Sequence, residues 1–254
     1  MLERPETLTS AVARHIRDTI MRGQFAPGQA LPEVWLAERL QTSRGTIREA
    51  FRTLADQGLV EIIPHRGSFV ATLTPRRARE IFTLRAELES YAVRLVMERG
   101  GYPAATRAAL RDALDRLRVD PVDADQYELA DADMQFHDLL TRESDHQVLL
   151  EVLGSLRLQM RQFIVYTKLM GSDVEPEHVT HHRLLEAVES DDPVRAAAAV
   201  HNHIIEAGKQ LLSKLDVEPA SAANGAMHTN DQDEPATKRS PRRRDPGGMS
   251  AQLS

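Results

Sequence analysis

Residues 25–73 read FAPGQALPEVWLAERLQTSRGTIREAFRTLADQGLVEIIPHRGSFVATL, and this stretch decides the fold. Ser43 is a good N-cap for a helix over Arg44–Gln57, because its hydroxyl can accept from the first orphan amides. Within that helix Ile47, Ala50, Phe51 and Leu54 recur at i, i+3, i+4 and i+7, so one face belongs to a core. Gly58 stands where a helix stops in the left-handed region. Upstream, Glu33–Leu40 reads as a short helix with Trp35, Leu36 and Leu40 as candidate core, and Gln41-Thr42 as a tight turn. Downstream, Leu59–Ile63 and Ser68–Leu73 read as two strands around the hairpin Pro64-His65-Arg66-Gly67. Ahead of the stretch lies an amphipathic helix, Ala11–Met21, with Val12, Ile16, Thr19 and Ile20 on one side. Helix, helix, turn, helix and hairpin together spell a winged helix-turn-helix.

The polar residues of that unit suit nucleic acid. A recognition helix carries cationic and polar side chains on its N-terminal turns, where phosphates and base edges lie. Ser43, Arg44, Thr46 and Arg48 occupy those turns, and Arg44 and Arg48 share a face opposite Ile47 and Phe51. His65 and Arg66, beside the flexible Gly67, sit at the hairpin tip, where they can reach a minor groove or the backbone. The plain alternative is a small helical unit whose arginines merely solvate its surface.

Composition narrows the rest. The chain has 254 residues and a formal net charge of −6, with 41% hydrophobic, 28% charged and 4% aromatic residues. That apolar content supports one or two cored domains and excludes collagen-like or wholly disordered readings. No apolar run approaches the ~18 residues of a membrane-spanning helix, and the charged N-terminus does not read as a signal peptide. With no Cys there is no disulfide framework, thiolate nucleophile or Cys-based zinc finger. A cytoplasmic protein is the expectation. By segment, residues 1–74 carry +1, residues 75–215 carry −6 and residues 216–254 carry −1. The acidic charge therefore sits away from the winged unit and does not oppose DNA binding there.

Residues 75–215 look all-helical. Thr74-Pro75, Asp120-Pro121 and Asp192-Pro193 each give an N-cap followed by Pro at the first helical position. Gly100-Gly101 and Gly171 read as stops, which places six helices near 75–99, 103–118, 121–142, 145–170, 174–190 and 193–214, a bundle. From about Asp216 the chain holds four Pro and almost no large apolar residue, so 216–254 is expected to be a disordered tail. Its basic cluster Lys238, Arg239, Arg242, Arg243, Arg244 reads first as a solvated patch.

Metal chemistry is suggested by the bundle. Asp133 and His137 project from one helix face among Phe136, Leu139 and Leu140. A carboxylate and an imidazole one turn apart near a core suit a divalent metal. His181 shares a stripe with Leu184, Leu185 and Val188, so it faces inward. Local spacing does not choose between His201 and His203, and His178 and His182 stay open as well. Arg85 lies in a stripe of Ile81, Leu84, Leu88, Ala92 and Leu95. There it either grips a carboxylate from the core side or makes a surface pair with Glu89. The nucleophile, phosphate-loop and zinc-protease motifs G-x-S-x-G, P-loop and H-E-x-x-H are absent.

PG-x-x-LPE, LAERL, SR-x-x-IREA, GLV and RG-x-FV resemble the DNA-binding domain of GntR-family transcription regulators. IFTLRAELESYAVRLV and DADMQFHDLL resemble the FCD effector domain of the FadR branch, in its shorter, VanR-like form of six helices. The resemblance covers roughly residues 8–214. It implies metal ligands Asp133, His137, His181 and His203, an effector-facing Arg85, recognition-helix Arg44 and Arg48, and a wing of His65, Arg66 and Gly67. One departure is Val34, where such proteins often carry an arginine that touches DNA.

The expectation is a mainly α protein with a winged helix-turn-helix over 1–74, an all-helical effector and dimerisation domain over 75–215 and a tail over 216–254. It is a homodimeric regulator, not an enzyme, expected to repress from palindromic operator DNA. Its bundle holds a divalent transition metal, Zn or Ni, and a small carboxylate metabolite. The rivals are a metal-dependent enzyme using the three-His, one-Asp site and an effector-free dimeric DNA-binding protein.

Overall fold

The computed structural model describes residues 7–118, 125–169 and 176–217, all within one compact unit, Met1–Ala223. The expected Asp120-Pro121 start, the Gly171 stop and all but the first two residues of the 216–254 tail, with its basic cluster, lie outside the described residues.

The first part is α1 (Leu8–Met21), α2 (Glu33–Arg39), α3 (Arg44–Asp56), β1 (Val60–Ile63) and β2 (Gly67–Val70). Ser43 caps α3 as its spacing implies, its hydroxyl accepting from Thr46 N at 3.1 Å. Ile47, Ala50, Phe51 and Leu54 are all buried, against Val12, Ile16 and Ile20 of α1 among others. Gly58 takes φ +71°, which lets Leu59 N reach back to Leu54 O at 2.9 Å and turns the chain into β1. The strands pair antiparallel, with Ile63 opposite Gly67, and are shorter than their apolar patterns suggest. Leu31 N donates to Ser68 O at 2.8 Å, so the α1–α2 loop backs the hairpin.

Trp35 corrects the expected core. It is 47% exposed, because Leu36 and Ala37 take the inward side of a helix only seven residues long. Its ring instead meets Phe25 edge-on and lies under the Arg39 guanidinium.

The second part is α4 (Pro75–Glu98), α5 (Ala104–Arg116), α6 (Gln126–Arg142), α7 (Gln147–Leu169), α8 (Glu177–Val188) and α9 (Pro193–Val217). Thr74 accepts from Arg77 N at 3.2 Å, and Asp192 accepts from Val194 N at 2.9 Å and Arg195 N at 3.1 Å, so both Pro-led caps form. Asp125, which the sequence pattern did not single out, caps α6 through Tyr127 N. α9 runs to Val217, three residues past its expected end. Phe82, Phe136, Phe163, Leu140 and Ile204 are at the centre of a second hydrophobic core, separate from that of the winged unit. The two parts touch through α7, where Leu158 packs on the first core and Gln159 lies against Gly58 while accepting from Arg77 Nε and Nη2 of α4 at 2.9 and 2.8 Å.

The packing of α4 on α9 governs where the buried polar groups of both helices come to lie. Gly208 of α9 allows the close approach, since a Cβ there would stand 2.9 Å from Cβ of Phe82. Gly208→Ala is therefore expected to lose about 1–3 kcal/mol of stability through overpacking, measured by denaturant unfolding. An exposed helical glycine replaced by Ala would gain about 1 kcal/mol instead, so the sign of the change tests the packing.

Candidate functional site

Two groups of polar residues stand out, one on α3 and the hairpin, the other inside the bundle. On the first, Ser43, Arg44 and Arg48 are exposed and Thr46 is half-buried. His65, Arg66 and Gly67 are exposed at the hairpin tip, with His65 at φ +63° and Gly67 at φ +106°. Ser43 Oγ is committed to the cap and to Thr46 Oγ1 at 2.9 Å, so its part is to start the helix. Glu33 of α2, not singled out from sequence, lies 2.8 Å from Arg48 Nε and 3.8 Å from Arg44 Nη2. It draws both guanidiniums together at the start of α3. The i, i+4 spacing of the arginines was visible in the sequence; a carboxylate on a preceding helix was not.

The second group is built by α4, α6, α8 and α9. The rings of His137, His181 and His203 converge, with centroids 5.4, 5.3 and 4.6 Å apart, and one nitrogen of each lies within 4.8 Å of the others. Asp133 joins them, its Oδ1 lying 3.3 Å from His181 Nε2. Phe136 is wholly buried and stands edge-on to both His137 and His181, so part of the wall is apolar. By contrast His182 is half-exposed beside Glu186, and His201 pairs with Glu87 on the outside. His178 belongs to no such cluster among the described residues.

The far side of the rings is ordered as well. His181 Nδ1 lies 2.8 Å from Glu177 O and His137 Nδ1 lies 2.6 Å from Glu89 Oε2. A carbonyl or carboxylate can only accept, so each Nδ1 carries a proton and Nε2 is the nitrogen of each ring left to face an ion. Nε2 of both rings is buried without a hydrogen-bond partner. Two orphaned imidazole nitrogens facing a third imidazole and a carboxylate are the donor set of a borderline divalent ion, with its outer hydrogen bonds in place. The residues present fit a metal.

Charge is distributed accordingly. Burial and the neighbouring His181 and His137 keep His203 neutral, its pKa well below the usual histidine range. Burial opposes protonation of His181, but the Asp133 carboxylate outweighs it and raises that pKa. Burial opposes ionisation of Glu89, yet Arg85 and His137 together hold it down at about 2.

Arg85 is 2% exposed and donates from Nε to Glu89 Oε1 at 2.6 Å. The two readings of Arg85 thus merge: the Glu89 pair exists, but inside the bundle. The stripe expected around it needs correction. Leu84 is 43% exposed, and the inward face of α4 is instead Ala78, Ile81, Phe82, Arg85, Ala86 and Glu89. A cavity of about 530 Å³ opens beside the cluster, with Arg85, Asp133, Glu177, Arg183, His203 and Glu206 on its wall. Phe82, Ile164 and Leu184 supply apolar surface, and Arg85 Nη2 has no hydrogen-bond partner. An unpartnered guanidinium nitrogen beside apolar surface is the chemistry that can receive the anionic end of a small molecule.

The comparisons agree with this architecture. Residues 8–70 match the family described as bacterial regulatory proteins, gntR family, and residues 80–206 match the FCD domain. The gluconate operon transcriptional repressor of Bacillus subtilis (strain 168) is 24% identical over 225 residues, spanning 87% of this chain and 91% of the relative. The HTH-type transcriptional repressor GlaR of Escherichia coli (strain K12) is 28% identical over 200 residues, spanning 76% of this chain and 90% of the relative. A solved GntR transcriptional regulator from Rhodococcus sp. RHA1 superposes with a TM-score of 0.70 at 25% identity, covering 81% of this chain and 97% of that one. With a winged helix that presents arginines, a helical bundle that encloses a cavity, and both matched segments in that order, the chain belongs to the GntR family of DNA-binding transcription regulators and carries an FCD domain.

Proposed function

We propose that this chain is a metal-containing, carboxylate-responsive repressor that acts as a homodimer on palindromic operator DNA. The observation that carries the reading is the converging set of Asp133, His137, His181 and His203 on the wall of a cavity that also holds Arg85. Asp133, His137, His181 and His203 would hold the ion. Three imidazoles and one carboxylate favour Zn²⁺ or Ni²⁺ over Mg²⁺, which prefers oxygen ligands. When bound, the ion supplies a Lewis-acidic seat for a carboxylate oxygen. Arg85 Nη2 donates to the same ligand's anionic end, while the polar wall of Glu177, Arg183 and Glu206 meets the rest. One relative is a repressor of a gluconate operon, and a small acid as the effector class is compatible with that. A site of this kind in a DNA-binding regulator is read as a sensor, not a catalyst, and cytoplasmic residence follows from that role. Among the described residues no helix is long and apolar enough to cross a membrane.

The boundary between a DNA-binding domain and an effector domain is proposed at Thr74/Pro75, where one hydrophobic core ends and the other begins. Dimerisation is proposed through α4 and α7, which leave Leu84, Tyr91, Val148 and Val152 exposed beside the Ala92/Leu149/Leu153 cluster that packs the two helices together. A two-fold dimer reads two-fold DNA. An effector alters DNA affinity only by preferring one arrangement of the winged units over another.

Two measurements test this. Elemental analysis of protein purified without chelator is expected to give about one divalent transition ion per chain. Asp133→Ala, His137→Ala, His181→Ala and His203→Ala are each expected to lower occupancy, with His178→Ala, His182→Ala and His201→Ala neutral. If His182→Ala strips the ion while His181→Ala spares it, the assignment of ligands is wrong by one residue. On DNA, Arg44→Ala and Arg48→Ala are each expected to weaken operator binding by about 1–3 kcal/mol, with less effect on random DNA. Equal loss on both DNAs makes them phosphate contacts, and unchanged binding removes α3 from the recognition role.

A further inference from the structure

Glu89 enters neither the ligand set nor the cavity wall named above, yet it is the only side chain among the described residues hydrogen-bonded to both Arg85 and His137. Its carboxylate is 2% exposed, with Oε1 2.6 Å from Arg85 Nε and Oε2 2.6 Å from His137 Nδ1. Both partners present N–H donors, and each oxygen serves one of them. The consequence for His137 is a fixed tautomer, with Nε2 left as a buried lone pair beside His181 and His203. The consequence for Arg85 is that its inner edge is occupied, which leaves Nη2 as the unpartnered end of a guanidinium that lines the cavity.

We propose that Glu89 is a positioning residue that sets the ligand geometry of both halves of the site, aiming His137 at the ion and Arg85 at the bound anion. The inference rests on the metal reading above. A carboxylate is required here because both of its oxygens accept. His137 Nδ1–H and Arg85 Nε–H each meet a different oxygen, and an amide would replace one of the two by an NH₂ donor. In Glu89→Gln, either the amide NH₂ faces His137 and drives the ring proton to Nε2, or it faces Arg85 and pushes the guanidinium away. Both results disturb the site without removing a ligand or changing side-chain size.

The test uses full-length, metal-free protein titrated with Zn²⁺ against a chromophoric chelator, and with Co²⁺ for its visible absorption. Glu89→Gln is expected to weaken Zn²⁺ binding about 10–100-fold and to alter the Co²⁺ spectrum. Leu114→Ala, a cavity variant in the α5 core, serves as the stability control and is expected to bind Zn²⁺ like the wild type. Equal Zn²⁺ affinity in wild type and Glu89→Gln overturns the inference and leaves the metal reading intact. A similar loss in Leu114→Ala overturns it too, because general destabilisation would then explain the effect. No Zn²⁺ binding by the wild type overturns both. Where Glu89→Gln fails to fold, ¹⁵N NMR of the metal-free wild type decides: a proton on Nδ1 of His137 supports the positioning role, and a proton on Nε2 alone overturns it.

Discussion

The chain of buried contacts from Arg85 through Glu89 to His137 is the constraint on which the bundle's organisation depends. Placing a guanidinium and a carboxylate at about 2% exposure on one helix costs desolvation energy, and removing either partner of such a pair typically costs about 3–5 kcal/mol. A hydrophobic pair in the same place would satisfy the fold with less difficulty. The ion pair is therefore better understood as site architecture than as a source of stability. It lies on the inward face of α4, where α6 brings His137 to the second carboxylate oxygen and α9 brings His203 to the cluster. The close seat of Gly208 on Phe82 draws α9 in. The apolar core and the polar site are thus parts of the same packing solution, since Phe82 and Leu184 belong to both.

The winged unit shows the surface counterpart of that arrangement. Glu33 gathers Arg44 and Arg48 as Glu89 gathers Arg85 and His137, but with guanidiniums more than half exposed the pair contributes little stability. What it does is orient cations on the first turns of α3. Between the two units α7 runs from the second core to the first, with Phe163 and Ile164 in the bundle and Leu158 against the winged helix. Gln159, hydrogen-bonded to Arg77, lies against Gly58 at the end of α3.

Much of this was legible in the sequence wherever local chemistry decides. Ser43, Thr74 and Asp192 cap helices because a hydroxyl or carboxylate at that point has orphan amides to accept from, whatever the tertiary fold. The face of α3 and the inward positions of His137 and His181 followed from helical period. Where two faces of one helix both carry apolar residues, period alone failed. Leu84 and Tyr91 outrank Ala78 and Ala86 in hydrophobicity but face outward, and the small residues mark the close helix contact. Trp35 misled for a similar reason, its size suggesting a core that Leu36 and Ala37 fill. Glu89 was visible as the i+4 partner of Arg85, but its second bond crosses from α4 to α6, which no local spacing encodes.

Whether three imidazoles and one carboxylate of the bundle form one metal site is read out by X-ray absorption at the metal edge of the loaded, effector-free protein, because imidazole rings give a distinctive outer-shell scattering that counts them. The predicted result is a nitrogen- and oxygen-ligated ion with three imidazoles. An ion with fewer than three, or a spectrum unchanged in His203→Ala, would contradict the assignment.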